Sequence, residues 1–499
     1  MKGNTIPLFL LFGSLLTGCT VGPDYKNPEL KTSSKWSATK RAHQATSPAP
    51  VNLSWWKEFN DPLLNEYIRQ AANNNLDIKI ARARILEARA LRQIDAASFY
   101  PQINAQTLVN SLRISKQGRE LGFFPNFPGI DLINRQRPFY SLGFDSRWEL
   151  DLFGKTRRAI EAREAEIGQA IESERNVLLS VVAEVARNYV ELRGTQREIR
   201  IRNKNLALQR KTLRIVRQQY EVGSGNELDV ALAESQLKTT ESSLPNLTAQ
   251  IYANAYQIAV LLGKEPQAIL KQVQATRPLQ FPRKPVPIGL RSDILCRRPD
   301  VREAERQLAA ATAEIGVATA ELFPQFNLIG DISLDSVFFD KLFNKSSGAW
   351  TLGPSMNWPV FQGGRIRANI KRQKIRAEQA GLHYWQTILN ALKEAETALV
   401  RYGQELDTKD RLFAAVKANR HSFHLARQRY KWGEDDILAL IDTERALNNS
   451  ESEMISSETR TLTNLISLYK TLGGGWETLS GRTCDKKCVK KNVLHKSRA

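Results

Sequence analysis

Residues 217–223 read Arg217-Gln218-Gln219-Tyr220-Glu221-Val222-Gly223, and residues 427–433 read Arg427-Gln428-Arg429-Tyr430-Lys431-Trp432-Gly433. They are one motif met twice, 210 residues apart (Tyr220 to Tyr430), and Gly263 and Gly473 keep the same offset. Upstream, Tyr100-Pro101-Gln102 returns as Phe323-Pro324-Gln325, and Asp77 returns as Asp300, both with an offset of 223. One loop of the second copy, between Pro324 and Trp350, is therefore shorter by thirteen residues. An internal duplication governs every later reading, because each element must be found twice. The motif itself marks a turn-back. From Lys155 to Glu221 there is no proline, only Gly168 and Gly194 weaken the run, and Ile160, Ile167, Ile171, Leu178, Val181, Val182, Val185, Tyr189 and Leu192 recur at helical spacing. At 1.5 Å per residue such a helix extends on the order of 100 Å, which suits a stalk, coiled coil or tube. Helical hairpins are expected over 155–262, with its tip at 220–229, and over 364–472, with its tip at 430–442.

Between the duplicated Pro-Gln sites and the long helices lie segments of two-residue alternation. Tyr140–Leu152 places Tyr, Leu, Phe, Trp and Leu on one face and Ser, Gly, Asp, Arg and Glu on the other; Trp350–Val360 alternates likewise. Phe326–Leu334 alternates nearly as well, while Gln102–Ile114 changes phase near Leu108, as at a bulge. Strands at about 102–114, 140–152, 326–334 and 350–360 pair as two hairpins, with loops near 116–139 and 337–349. Length and alternation match transmembrane barrel strands, apolar outward and polar inward. Four strands cannot close a barrel, since the smallest have about eight. An open edge in lipid leaves peptide groups unpaired at several kcal/mol each, so copies of the chain must share one barrel. The alternative is a soluble antiparallel sheet packed on helices.

The N-terminus gives the compartment. Lys2 precedes an apolar stretch from Ile6 to Leu16 that ends at Leu16-Thr17-Gly18-Cys19. This resembles a lipoprotein signal peptide, residues 1–18, with Cys19 as the acylated residue. The expected modification is an N-terminal diacylglycerol and palmitate, and no other cofactor is implied. Residues 19–60, polar with prolines at 23, 28, 48 and 50, read as an extended tether. Asp61-Pro62 then starts a helix, with Asp61 as cap, and a second helix follows over Leu76–Ser98. No other window holds eighteen apolar residues, so no transmembrane helix is expected. The formal charge of +20 comes from scattered Lys and Arg that fit long solvated helices, and no nucleic-acid signature accompanies it. Cys296 has no evident role, and Cys484 and Cys488 form either a disulfide or nothing in the basic tail, residues 476–499. No enzyme is expected: His421 and His424 are spaced for a metal on a helix, but no third ligand lies near in sequence.

Gly18-Cys19-Thr20-Val21-Gly22-Pro23-Asp24-Tyr25, Asp61-Pro62-Leu63, Arg297-Arg298-Pro299-Asp300-Val301-Arg302-Glu303-Ala304-Glu305-Arg306, Leu322-Phe323-Pro324 and both Tyr-x-x-Gly tips resemble the TolC/OprM outer-membrane efflux family, lipoprotein (NodT-like) branch. The resemblance covers about residues 15–475, with repeats at 61–275 and 276–475. It implies a mainly α fold with a β-barrel contribution: homotrimers sharing a twelve-stranded outer-membrane barrel above a periplasmic tube of twelve helices. It implies an exit duct served by a periplasmic adaptor and an inner-membrane pump of RND or ABC type, moving small toxic molecules without chemical change. The tips, with Gly223, Gly225 and Gly433 at their turns, would close the tube and dock the adaptor. Asp229 would bond Tyr430 as a latch, and Asp442 would belong to an acidic constriction. Ala439 departs from that ring, Asp435 and Asp436 could replace it, and Asp435 stands where an arginine tether is found in relatives. Each tip carboxylate has the alternative of being a solvated helix-start residue. Pro245 is expected to kink the first return limb, while Ile455 at the matching position does not. A rival reading is a periplasmic coiled-coil lipoprotein scaffold without a pore.

Overall fold

Without proline and with apolar residues at helical spacing, the segment from Lys155 to Glu221 has no reason to stop. In the computed structural model it is one helix of 67 residues. The structure describes residues 20–28, 36–37, 39–113, 136–275, 277–278, 280–281 and 285–479. The principal elements are α1 (Pro62–Asn74), α2 (Leu76–Ala97), β1 (Gln102–Arg113), β2 (Gln136–Leu150), α3 (Lys155–Glu221), α4 (Glu227–Ser242), α5 (Leu244–Leu261), α6 (Pro299–Ala320), β3 (Gln325–Ser336), β4 (Gly348–Asn357), α7 (Arg365–Trp432) and α8 (Ile437–Thr471). The order repeats, as the duplication requires. The described residues within 20–27, 86–168 and 306–382 form one compact unit, and those within 28–85, 169–305 and 383–479 form the other.

The first unit holds an antiparallel sheet in the order β1-β2-β3-β4. The expected hairpins are present, and β2 joins them through β3. The strand bounds differ from expectation by up to four residues. The pairing of β1 with β2 is uninterrupted from Gln102↔Arg147 to Arg113↔Gln136, so no bulge exists near Leu108. Neighbouring strands fix the register, and the phase change merely puts Leu108 on the polar face opposite Ser141. The indole of Trp148 donates to the Phe99 carbonyl at 2.9 Å, and that of Trp358 donates to Leu322 at 3.1 Å. These are the same bond in the two copies.

Part of the N-terminal stretch, expected as an extended tether, is held against the start of a long helix. In the first unit the Val21 amide donates to Phe153 O at 3.2 Å. Arg158, at the start of α3, donates to the Val21 and Gly22 carbonyls at 3.1 and 3.3 Å and to Asp24 at 2.6 Å. Gly22, at φ +95°, lies so close to Gly316 that an added Cβ would stand 2.4 Å from its Cα. Prolines and polar residues mask this docking in the sequence, because the partners lie over a hundred residues away.

In the second unit, Thr46–Ser47 pair in parallel with Val286–Pro287. Trp55, Trp56 and Phe59, in the short helix Trp55–Phe59, are buried, and Trp55 stacks on Tyr469 at 5.3 Å. Three aromatics within a polar segment bury enough apolar surface to order it. At the other end, Trp476 is fully buried and the Arg175 guanidinium lies over its ring at 4.6 Å. The fold therefore extends to at least Leu479, past the expected boundary at 476; Cys484 and Cys488 lie outside the described residues.

The long helices are joined by repeated ties. Asn75 donates to Leu261 O at 3.0 Å, and Arg298 donates to Thr471 O at 3.1 Å, at matching positions of the two copies. Asp61 caps α1 by accepting from the Leu63 amide at 2.9 Å and also accepts from the Tyr189 hydroxyl. The return limb of the first copy breaks at Ser243, where Pro245 starts α5, whereas α8 runs unbroken through Ile455. Gly194 does more than weaken α3: a Cβ there would meet Thr459 Oγ1 of α8 at 2.2 Å, so glycine lets the two helices touch. Among the described residues no helix is long and apolar enough to cross a membrane.

Candidate functional site

Two regions can act on another molecule: the sheet and the hairpin tips. On one sheet face the cross-strand rows are Ala105–Phe144–Ile332–Trp350, Thr107–Leu142–Leu334–Gly348 and Ile103–Ser146–Gly330–Leu352. On the other they are Asn104–Asp145–Asp331–Thr351 and Gln106–Gly143–Ser333–Ala349. Asn104 donates to Asp145 at 3.2 Å, and Gln106 donates to the same carboxylate. Phe144, Ile332, Trp350, Leu352 and Met356 are all exposed. Among the described residues β1 and β4 have one neighbour each, so the sheet as described has two open edges as well as an exposed apolar face. Both features call for a covering that the described residues of one copy do not supply.

At the tips, each outgoing helix ends in the same glycine motif. The Ser224 amide donates to Gln219 O at 2.9 Å and the Gly223 amide to Tyr220 O at 2.9 Å; Glu434 and Gly433 repeat this with Arg429 O and Tyr430 O at 3.0 and 3.1 Å. Gly223 and Gly433 both take φ +77°, a left-handed conformation that a side chain would strain. Space is tight at Gly225, where a Cβ would stand 3.2 Å from the Tyr220 amide nitrogen. The return helices are capped alike, Asn226 accepting from the Asp229 amide at 2.8 Å and Asp436 from the Ala439 amide at 3.1 Å.

Above these turns Leu206, Leu213 and Val216 of α3, Ala233 and Leu237 of α4, and Ile437 and Ile441 of α8 form one buried cluster, with Tyr430 packed against it. The Tyr430 hydroxyl donates to Gln219 Oε1 at 2.7 Å, not to Asp229. Burial, and secondarily the nearby Asp229 carboxylate, raise the phenol pKa, so it stays a donor. The expected latch is thus corrected in its partner: Tyr430 bonds Gln219 of the other hairpin, and Asp229 acts on it through its field. Gln219 was missed because its counterpart in the second copy is Arg429, so the repeat drew attention to Tyr220 and Gly223 instead.

The remaining carboxylates serve locally. Asp435 pairs with Arg429 at 3.0 Å, Asp436 is the cap of α8, and Asp442 lies 3.7 Å from Arg445 on its own helix. The second tip also reaches the first through Arg445, which donates to Gln236 of α4 at 3.4 Å. Within a single chain no acidic ring is assembled from them. Cys19 lies outside the described residues, and among those described no group of His, Cys, Asp or Glu could hold a metal.

A family model described as outer membrane efflux protein matches residues 67–264 and 290–474, which are the two copies of the repeat. The chain is 32% identical over 451 residues to nodulation protein T of Rhizobium leguminosarum bv. trifolii, covering 90% of this chain and 92% of that protein. It is 30% identical over 465 residues to the cation efflux system protein CusC of Escherichia coli O157:H7, covering 93% of this chain and 97% of that protein. Among solved structures, the outer-membrane channel OprN superposes with a TM-score of 0.83 at 34% identity, over 92% of this chain and 100% of that one.

Proposed function

The chain belongs to the outer membrane efflux protein family, and on that footing we propose that it is the exit duct of a tripartite exporter. Three copies contribute four strands each to one barrel, and a periplasmic adaptor joins the hairpin tips to an inner-membrane RND or ABC pump. The observation that carries this reading is the sheet. Its apolar face and its two open edges are satisfied together if identical neighbours continue it around a closed barrel in lipid. Its polar face, bearing Asp145, Asp331 and Thr351, then lines the water path. No step of bond making is needed: the duct lets toxic small molecules pass, and the pump supplies the energy. The purified protein in detergent is expected to run as a heat-modifiable trimer and to conduct ions in planar bilayers. A monomer that dissolves in water after removal of the lipid would overturn the reading.

Acylation of Cys19 with diacylglycerol and palmitate is part of the proposal. What supports it, besides the signal sequence, is that Thr20–Asp24 are pinned to the start of α3 in the same unit as the sheet. Labelled palmitate is expected on the native protein and absent from Cys19→Ser; a native protein without label would remove the anchor.

Tyr430 and Gln219 are read as the clasp of the closed tip, with Asp229 supporting them and the Asp435–Arg429 pair stiffening the second turn. Tyr430→Phe removes the hydroxyl but keeps the ring, at a cost of about 1 kcal/mol per copy. Planar-bilayer conductance is expected to rise severalfold; conductance equal to that of the native trimer would show that the bond does not hold the tip shut.

A further inference from the structure

The apolar seam between α3 and α8 is interrupted at one level. The two helices run antiparallel in a single register, with Gly194 against Thr459, Arg197 paired with Glu458, and Val216 in one cluster with Ile437. Between those levels Gln209 faces Glu444. Gln209 is 2% exposed and Glu444 4% exposed. Leu206 and Leu213 stand a turn away from Gln209 on either side, and Leu440, Ile441 and Leu447 are the buried neighbours of Glu444 along α8. Glu444 has no ion pair among the described residues, and the Gln209 amide is buried without a well-formed hydrogen bond in this arrangement.

We propose that Glu444 is the site at which the hairpin tip responds to periplasmic pH: the neutral carboxyl holds α8 against α3, and its ionisation loosens that seam. A carboxylate placed among leucines costs far more than a carboxylic acid, which can remain as a hydrogen-bond donor to the Gln209 carbonyl oxygen. A buried polar pair in a helical seam commonly sets register, and it becomes a switch when one member can change charge.

The charged groups on the packed elements leave Glu444 nearly alone. From α7, Arg427 acts on it weakly, Arg420 is already engaged with Glu451 at 2.7 Å, and His421 and His424 are exposed. From α3 and α4, Arg210 pairs with Glu241 at 2.9 Å, Arg217 pairs with Glu234 at 3.0 Å and Lys238 lies 3.2 Å from Glu241, all on exposed surfaces. On α8 itself Asp442 and Arg445 face each other outside the seam. Burial accordingly raises the Glu444 pKa to about 7, with Gln209 and Arg427 pulling it down only in part.

The sign follows by linkage. With the packed-state pKa above the ordinary value of 4.5, the packed seam binds the proton more tightly than the open one. Its advantage is complete below pH 4.5, declines as pH rises and is gone above about pH 7.

This switch refines the gate of the duct proposed above, but it can be tested apart from conduction. Amide hydrogen exchange of residues 437–450 in the full-length detergent-solubilised protein, corrected for the intrinsic pH dependence of exchange, reports the opening of α8. Native protection is expected to fall by up to about tenfold per pH unit between pH 5 and 7 and then level off. Glu444→Gln, which keeps the shape and stays uncharged at every pH, should remain highly protected throughout. A Glu444→Gln profile that falls like the native one, or a native profile that is flat, would overturn the proposal. Bilayer recordings over the same range separate it from the duct reading. A pH-dependent seam without any pore leaves the switch standing and removes the duct; a pore with an unshifted Glu444→Gln exchange profile does the reverse.

Discussion

Arginine at Ile332 should keep the protein out of the outer membrane, with membrane-fraction trimer lost and the chain recovered as degraded or aggregated material. Ile332 lies in a central strand between Phe144 and Trp350, in the exposed apolar row of the sheet. An arginine facing lipid near the middle of a barrel costs about 2–4 kcal/mol. Each copy in a shared barrel bears that cost, so it multiplies with the number of copies. Ser333 is the control, because successive side chains of a strand point to opposite faces. Its neighbours are Gly143 and Ala349 on the polar face, and Ser333→Arg should still assemble, with altered conductance only. If Ile332→Arg fractionates as the native protein does, the apolar face does not meet lipid and the shared barrel falls.

The second large effect is expected from Arg298→Ala, with a loss of about 2–3 kcal/mol of stability read as a lowered melting temperature, because the arginine is buried while its carboxylate partners keep contact with water. The side chain is nearly buried and holds Asp300 at 2.7 Å, Glu394 at 2.8 Å and the Thr471 carbonyl at 3.1 Å. Removing it strands two carboxylates and leaves a carbonyl at the end of α8 without its cation, where a positive charge is most useful. Burial by itself disfavours the guanidinium charge, yet the bonds to Asp300 and Glu394 prevail and raise its pKa. Lysine, lacking the fork that reaches both carboxylates and the carbonyl, should restore only part of the loss. Asn75→Ala, at the matching tie of the first copy, removes two neutral hydrogen bonds, one donated to Leu261 O and one accepted from the Ile78 amide, and should cost about 1–2 kcal/mol. Equal losses for the two variants would show that charge is not what closes the second copy.

Within the Arg-Arg-Pro-Asp block, Arg298 and Asp300 of this chain thus serve a structural task, the closing of a hairpin. The tips show a similar limit. The turn glycines were legible because a reversal needs a left-handed residue wherever it occurs, and both copies supply one. The clasp was only half legible. Tyr430 stands out in the repeated motif, but its partner Gln219 lies 211 residues away and is matched by Arg429 in the other copy. Glu444 and Gln209 were silent for the opposite reason. A lone polar residue in a long amphipathic helix looks like part of the solvated face until the partner helix is in place.

Local chemistry by itself determined the long helices, the break at Pro245, the cap at Asp61, the four alternating strands and the duplication. Each depends on backbone preference or side-chain period within a few residues, or on comparing the chain with itself. Only the tertiary structure decided that β2 meets β3, that Leu108 follows the register of its neighbour, that Trp55 and Trp476 belong to the core, and that Tyr430 bonds Gln219. Those contacts join residues far apart in the chain. Their energies depend on which groups lose water together, and that is set by packing rather than by any neighbour in sequence.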